Sequence, residues 1–328
     1  RVLNKFAPMA NVGISENEFI SKALSLFQYQ YKHVAVYKEF VERLNINPVE
    51  VDSFLKIPFL PIRFFKSHQV FTDEKEPSNW FESSGTTTSK NSKHFYTNTE
   101  AYFQNSVLSF EEQFGSLDVI NILALLPSYL ERNNSSLVAM VDYIMKQSPQ
   151  NKHGFYLNNF IELQHDLLQL ISQNKKILLI GVSFALLDFA EQFSMPLTNC
   201  IVMETGGMKG RRIELTREQL HFELMNAFKI DSIASEYGMT ELFSQGWSKS
   251  KGVFNPSSYM KVFCRDVNDP LKILDAGESG ALNVIDLLNE DSCAFIATDD
   301  LGLVHSNGTF EIRGRLDNSD VRGCNLMF

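Results

Sequence analysis

Cysteine is scarce and scattered. Cys200, Cys264, Cys293 and Cys324 are the four, and no two stand in a C-x-x-C pair. That spacing suggests neither a structural zinc site nor a disulfide framework. Positive charge is not in excess either: 30 Lys and Arg against 39 Asp and Glu leave a net charge of −9, which argues against a general nucleic-acid binder. No apolar run is long enough to span a bilayer, and residues 1–11 lack the pattern of a secretory signal, so a cytoplasmic protein without a transmembrane segment is expected. Internal repeats and low-complexity segments are missing, and so is the G-x-x-x-x-G-K-[ST] spacing of a Walker loop.

What the chain does contain is apolar bulk. With 328 residues, 44% of them hydrophobic, it has enough for a substantial core and for two domains. Phenylalanine is abundant at 27 residues, which suits a large core and would also suit a pocket for an apolar substrate.

Residues 16–45 read as one or two helices, with Phe19, Ala23, Leu26, Phe27 and Tyr31 at helical spacing. Asn47-Pro48 starts a short helix over 49–55, prolines break regular structure at 58 and 61, and a strand is expected over 62–66. Thr99 caps a helix running to about Phe114. Strands over 119–126, 177–180, 200–203 and 230–235 then alternate with helices over 135–145, 160–171, 184–193 and 216–228. That alternation predicts an α/β domain with a largely parallel sheet. After Glu241 the pattern changes to short strands at 260–264, 271–274, 281–286, 294–298, 303–305 and 309–313, separated by turn residues: a small antiparallel β subdomain. The division is drawn as 1–240, an α/β nucleotide- and acyl-binding domain with a helical N-terminal segment, and 241–328, a β-rich subdomain ending in a mobile cysteine-bearing tail.

The polar stretches carry the chemistry. In Ser83-Ser84-Gly85-Thr86-Thr87-Thr88-Ser89 six of seven residues bear a hydroxyl and the other is glycine. Such residues pack no core, but they let the backbone turn tightly and offer N–H and O–H donors to a ligand. Lys90, Lys93 and His94 beside them would complement a polyphosphate. Further along come Gly206-Gly207 after one strand, Ser235-Glu236-Tyr237-Gly238-Met239-Thr240-Glu241 after another, then Thr298-Asp299-Asp300-Leu301-Gly302 and Gly314-Arg315-Leu316-Asp317-Asn318. Tyr237 offers a flat face, Glu241 a hard oxygen for Mg²⁺, and paired acids at a strand end can bind ribose hydroxyls. Ligands of open α/β sheets bind outside the carboxyl ends of the strands, where these stretches fall. Taken singly, each also reads as an ordinary surface loop or turn.

Together and in this order they resemble the adenylate-forming enzyme superfamily, from about residue 60 to the end. The resemblance implies an α/β fold with a large adenylate-forming N-terminal-type domain and a small antiparallel β subdomain. It implies that Ser83, Ser84, Gly85, Thr86 and Thr87, with His94, hold ATP phosphates, and that Gly206-Gly207 and Tyr237 face adenine. By the same resemblance Gly238, Thr240, Asp300 and Arg315 belong to the nucleotide site, Glu241 binds Mg²⁺, and Thr86 and Glu241 act in catalysis. Thr88 stands where the superfamily has a glycine. Most members continue into a further C-terminal domain with a catalytic lysine, and the thirteen residues after Arg315 are too few for one; the chain is expected to lack it.

Among the subfamilies the combination is similar to the LuxE-type acyl-protein synthetases. These activate a fatty acid with ATP, hold the acyl group on a cysteine near their C-terminus and pass it to an acyl reductase (LuxC-like). Cys324, in Arg322-Gly323-Cys324-Asn325, stands at the carrier position; glycine gives freedom to swing and Arg322 favours the thiolate. Cys200, Cys264 and Cys293 lie in apolar strand patterns and read as buried. Apolar residues near Leu125, Val138, Val182 and Phe184 are candidates for the acyl pocket. Two other readings stay open: a CoA ligase related to phenylacetate–CoA ligases, and a nucleotide-binding module without catalysis.

Overall fold

The computed structural model describes residues 13–83, 91–126, 134–206 and 215–316. Ser15 opens helix α1 (Glu16–His33) with a capping box, its hydroxyl accepting from the Glu18 N–H while the Glu18 carboxylate accepts the Ser15 N–H at 3.0 Å. Phe19, Ala23, Phe27 and Gln30 share one buried face. Val34 is extended and separates α1 from α2 (Ala35–Arg43). The docking of this face is specific: the Gln30 amide donates to the Asn289 carbonyl at 2.6 Å and accepts from the Ala294 N–H at 2.9 Å. The N-terminal helices therefore pack on the late, antiparallel part of the chain.

Two local expectations are corrected here. Residues 49–55 form two 3₁₀ turns, Pro48–Glu50 and Phe54–Lys56, because the Asn47 and Ser53 side chains each capture the N–H two residues on. The strand expected over 62–66 is instead β1 (Leu60–Pro61) followed by a single helical turn, α3 (Phe64–Ser67), which buries Phe65.

A hairpin of β2 (Asn79–Glu82) and β3 (Lys93–Tyr96) comes next. The alternating region then runs α4 (Glu100–Phe114), β4 (Ile120–Leu125), α5 (Ser136–Gln147), β5 (Gly154–Phe155), α6 (Phe160–Ser172), β6 (Lys176–Val182), α7 (Ser183–Gln192), β7 (Cys200–Thr205), α8 (Arg217–Phe228) and β8 (Ala234–Tyr237). Every residue of β4 is buried, as in a parallel sheet covered on both faces. The antiparallel part comprises β9 (Gly246–Ser248), β10 (Val253–Pro256), β11 (Met260–Arg265), β12 (Ser279–Asp286), β13 (Phe295–Val304) and β14 (Phe310–Arg315).

One twelve-stranded sheet unites both parts among the described residues, in the order β11-β12-β13-β14-β10-β9-β8-β7-β6-β4-β5, with β1 parallel to β13. β5, β4, β6, β7 and β8 are parallel to one another, and β9 lies antiparallel to β8. One core lies around β4, β6, β7 and the helices α4–α8; the other joins α1 and α2 to β11–β14. Residues 271–274 make only an isolated bridge, Ile273 to Arg265. The strands expected at 294–298 and 303–305 are one strand, β13, so Asp299 and Asp300 lie within a strand and not at its end. No helix among the described residues is long and apolar enough to cross a membrane.

Candidate active site

The carboxyl ends of β7 and β8 stand side by side, Thr205 opposite Glu236, and the chain leaves β8 through Gly238 to Thr240 and Glu241. Tyr237 is 8% exposed, its ring edge-on to Phe310 at 5.2 Å. Its hydroxyl donates to Asp300 Oδ2 at 3.0 Å, while Arg315 Nε lies 3.3 Å from Asp300 Oδ1. Register explains the meeting: Asp300 of β13 is the direct partner of Arg315 of β14. Burial raises the Asp300 acid above its usual range, and Arg315 and the Tyr237 hydroxyl pull it part of the way back. Three residues far apart in sequence thus form one polar junction. Thr298 is buried and fully engaged, its hydroxyl donating to the Leu282 carbonyl at 2.9 Å and accepting from the Asp300 N–H at 3.2 Å.

Glu241 is 6% exposed. Burial raises its acid, against the Ser92 hydroxyl and the more distant charges of Lys66 and Arg315. Its carbonyl accepts from Asn289 Nδ2 at 2.8 Å. The polypeptide beyond is pinned by Asp286, whose carboxyl accepts from the Phe243 and Ser244 N–H groups at 2.6 and 2.9 Å.

The β2–β3 hairpin approaches the same place. Ser83 closes its base, donating its N–H to the Ser92 carbonyl at 3.0 Å and accepting the Ser92 N–H on its hydroxyl at 2.9 Å. The sequence puts His94 among the cations of this loop, and the structure corrects that. His94 is 1% exposed and burial lowers it to about 4, so the ring is neutral near pH 7. A carbonyl can only accept, so Nδ1 carries the proton that is donated to the Thr240 carbonyl at 2.9 Å. His94 ties the hairpin to the segment that bears Glu241. Lys66 and Lys93 line an open cavity of about 370 Å³ nearby, with Glu82 and Asn91.

A pH signature follows from the buried ring. The unfolded imidazole titrates near 6.5 and the folded one near 4. Between those values the unfolded chain binds the extra proton, so stability falls as pH drops through that window, by about 3 kcal/mol at most. His94→Gln keeps a donor for Thr240 and is expected to flatten that fall. Urea midpoints near pH 7 and about pH 4.5 test it; the same slope in both proteins would mean that the ring is not buried neutral.

Ser183 donates to the Gly206 carbonyl at 2.6 Å and so fixes the end of β7. Gly207, Ser84, Gly85, Thr86, Thr87 and Cys324 lie outside the described residues. Of the remaining cysteines, Cys264 and Cys293 are buried, whereas Cys200 is only partly so.

A family model matches the sequence along nearly the whole chain: the acyl-protein synthetase model, LuxE, fits residues 10–328. The chain belongs to the LuxE acyl-protein synthetase family. It is accordingly an enzyme of the ligase class. It is similar to the long-chain-fatty-acid–luciferin-component ligase of Vibrio harveyi, with 25% identity over 338 aligned residues that cover 92% of this chain and 84% of that protein. Its fold is that of adenylate-forming enzymes. A 2-hydroxyisobutyryl-CoA ligase solved with 2-HIB-AMP and CoA superposes with a TM-score of 0.68 at 12% identity, over 96% of this chain and 75% of the other. ATP-bound MatB from Rhodopseudomonas palustris superposes with a TM-score of 0.54 at 16% identity, over 74% and 50%. The chain thus spans half the length of that MatB.

No group of three or more His, Cys, Asp or Glu among the described residues could hold a metal by itself. Glu241 nevertheless fits a nucleotide-borne Mg²⁺, which takes one or two protein carboxylates and leaves other positions to phosphate and water. Sequence reasoning missed Glu204 and its partners on α8. Burial would raise the Glu204 acid, but His221, Arg217 and Ser235 together hold it below the usual range, with Arg217 Nε at 3.2 Å. The i, i+4 pair Arg217 and His221 is the only local trace of this cluster in the sequence.

Proposed function

We propose that the chain activates a fatty acid with ATP, takes the acyl group onto Cys324 as a thioester, and delivers it to an acyl reductase. The observation that carries the reading is the convergence of Tyr237, Asp300, Arg315 and Glu241 at one end of β8. The neighbouring Lys66 and Lys93 supply positive charge for phosphates on the hairpin side. Ser84 to Thr87 would hold the β- and γ-phosphates, Asp300 would take the ribose, and Tyr237 with Gly206 and Gly207 would bound the adenine. The nucleotide and acyl sites would fall mainly in 1–240, and 241–328 would add the ribose-side strands and the carrier cysteine.

In the first step a substrate carboxylate oxygen bonds to the α-phosphorus and pyrophosphate leaves with the electrons of the broken P–O bond. Little covalent chemistry is asked of the protein; positioning and charge compensation suffice. Glu241 would hold Mg²⁺, which would neutralise phosphate charge. In the second step the Cys324 thiolate bonds to the acyl carbonyl and AMP leaves. Support for Cys324 comes from the other cysteines, since burial pushes the thiols of Cys200 and Cys293 up to about 12 and raises that of Cys264. The luciferin-component name of the Vibrio harveyi relative supports a reductase as acceptor.

The test is acid-dependent ATP–pyrophosphate exchange with a panel of short, long and aromatic acids. Exchange with long acids is the expected result. No exchange with any acid would favour a nucleotide-binding module instead.

A further inference from the structure

On the face of β8 opposite Tyr237 stands an acid that the reaction above does not use. Successive side chains of a strand point to opposite faces, so Glu236 turns away from Asp300. It turns towards α4, where its charge bears on Tyr102, whose hydroxyl donates to the Ser136 carbonyl at 3.0 Å. One carboxyl oxygen, Oε2, accepts the Thr205 hydroxyl at 2.5 Å. The other, Oε1, lies over Gly238, where a Cβ would come within 2.4 Å of it. Gln245 flanks the same glycine, its Cγ 3.9 Å from that Cβ position.

Gln245 is 2% exposed, and its Oε1 has no hydrogen-bond partner among the described residues. Glu236 is 9% exposed. Gly238 has no Cβ because the Glu236 carboxyl occupies that position. Buried polar atoms are costly to leave unpaired, so the Gln245 oxygen beside that carboxyl points to a group arriving from outside. Its place says which group. Gly238 leads directly to Thr240 and Glu241, so an acid activated there would have its first carbons beside Glu236 and Gln245.

We propose that Glu236 and Gln245 form a polar subsite at the carboxyl end of the acyl pocket, and that the substrate is a fatty acid carrying a hydroxyl within its first few carbons. The inference rests on the acyl-activation reading. A hydroxyl fits because it both donates and accepts, giving its proton to Gln245 Oε1 and accepting one from the Glu236 acid. Burial, with the Glu204 charge adding to it against the Thr205 hydroxyl, pushes that acid up to about 7, so a proton is available near neutrality. A plain alkyl chain would leave Gln245 Oε1 unpaired.

The experiment compares 3-hydroxytetradecanoate with tetradecanoate on the full chain, by ATP–pyrophosphate exchange and by calorimetric titration of each acid in the presence of ATP. The hydroxy acid is expected to be favoured by at least about tenfold, the discrimination that one buried hydrogen bond supplies. Gln245→Leu and Glu236→Leu are each expected to bring the ratio of the two acids towards one while the plain acid is still bound. Equal treatment of both acids by the unaltered chain, or a preference for the plain acid, would overturn the proposal, and that comparison needs no variant to fold. Selective binding without exchange would sink the activation reading and leave the subsite standing. Exchange with both acids at equal efficiency would do the reverse.

Discussion

Glu241→Gln is expected to lower acid-dependent ATP–pyrophosphate exchange by about a hundredfold to a thousandfold, the loss typical when one preorganised electrostatic group is removed. The same variant is expected to fold as well as the original chain or better. The Glu241 acid is raised by burial, with Ser92, Lys66 and Arg315 opposing it only in part. A carboxyl whose folded value lies above its unfolded value favours the folded state at low pH and loses that contribution as pH rises through the folded value. Near neutrality the buried carboxylate therefore costs stability, and an uncharged amide of the same shape removes the cost. The discriminating measurement is the Mg²⁺ dependence of exchange: the variant should need far more Mg²⁺ for half-maximal rate, with an unchanged or higher thermal midpoint. An exchange rate equal to that of the unaltered chain at limiting Mg²⁺ would remove Glu241 from the site.

The parallel half of the fold is legible because its signal is local. β4 and β6 are apolar apart from Asn121 and Lys176, and helices with capping residues such as Thr216 lie between the strands. β13 is different. Asp299, Asp300 and Gly302 are turn-type residues, yet they sit in a ten-residue strand. Charges from elsewhere in the chain make that tolerable, with Arg63 3.5 Å from Asp299 and Arg315 3.3 Å from Asp300. Gly302 is there because a Cβ would come within 2.2 Å of the Glu311 carbonyl oxygen on the neighbouring strand. Only the folded sheet supplies those partners, so the sequence around Asp300 reads as a break.

The same distinction divides the site. Tyr237, Glu241, Asp300 and Arg315 occur in short ordered motifs and can be picked out along the chain. Glu236 and Gln245 are nine residues apart, on either side of a turn, and nothing in that spacing says that they flank one glycine. Asp286 is equally silent until β12 brings it under Phe243 and Ser244. Such contacts are set by strand order and not by local pattern.

Cys324→Ser is expected to separate the two half-reactions. On the proposed reading adenylation rests on the residues around β8 and Cys324 serves only the second step, so the variant should support ATP–pyrophosphate exchange at the original rate. It should lose the hydroxylamine-sensitive acyl-protein almost completely, because a serine hydroxyl is nearly all protonated near neutrality and is a much weaker nucleophile than a thiolate. The other cysteines offer no ready substitute. A thiol pushed up to about 12, as in Cys200 and Cys293, is ionised in only about one molecule in 10⁵ near pH 7. Cys264, also raised by burial, has its thiol 3.6 Å from the Gly302 carbonyl inside the sheet. Labelled long-chain acid, ATP and a gel run with and without hydroxylamine make the comparison, and a parallel lane with CoA tests the other acceptor. A chain that forms no protein thioester, and whose Cys324→Ser variant releases acyl-CoA at the original rate, would be a CoA ligase and not an acyl-protein synthetase in its second step. A thioester that survives in Cys324→Ser would move the acyl group to another cysteine and sink the assignment of the carrier while leaving activation intact.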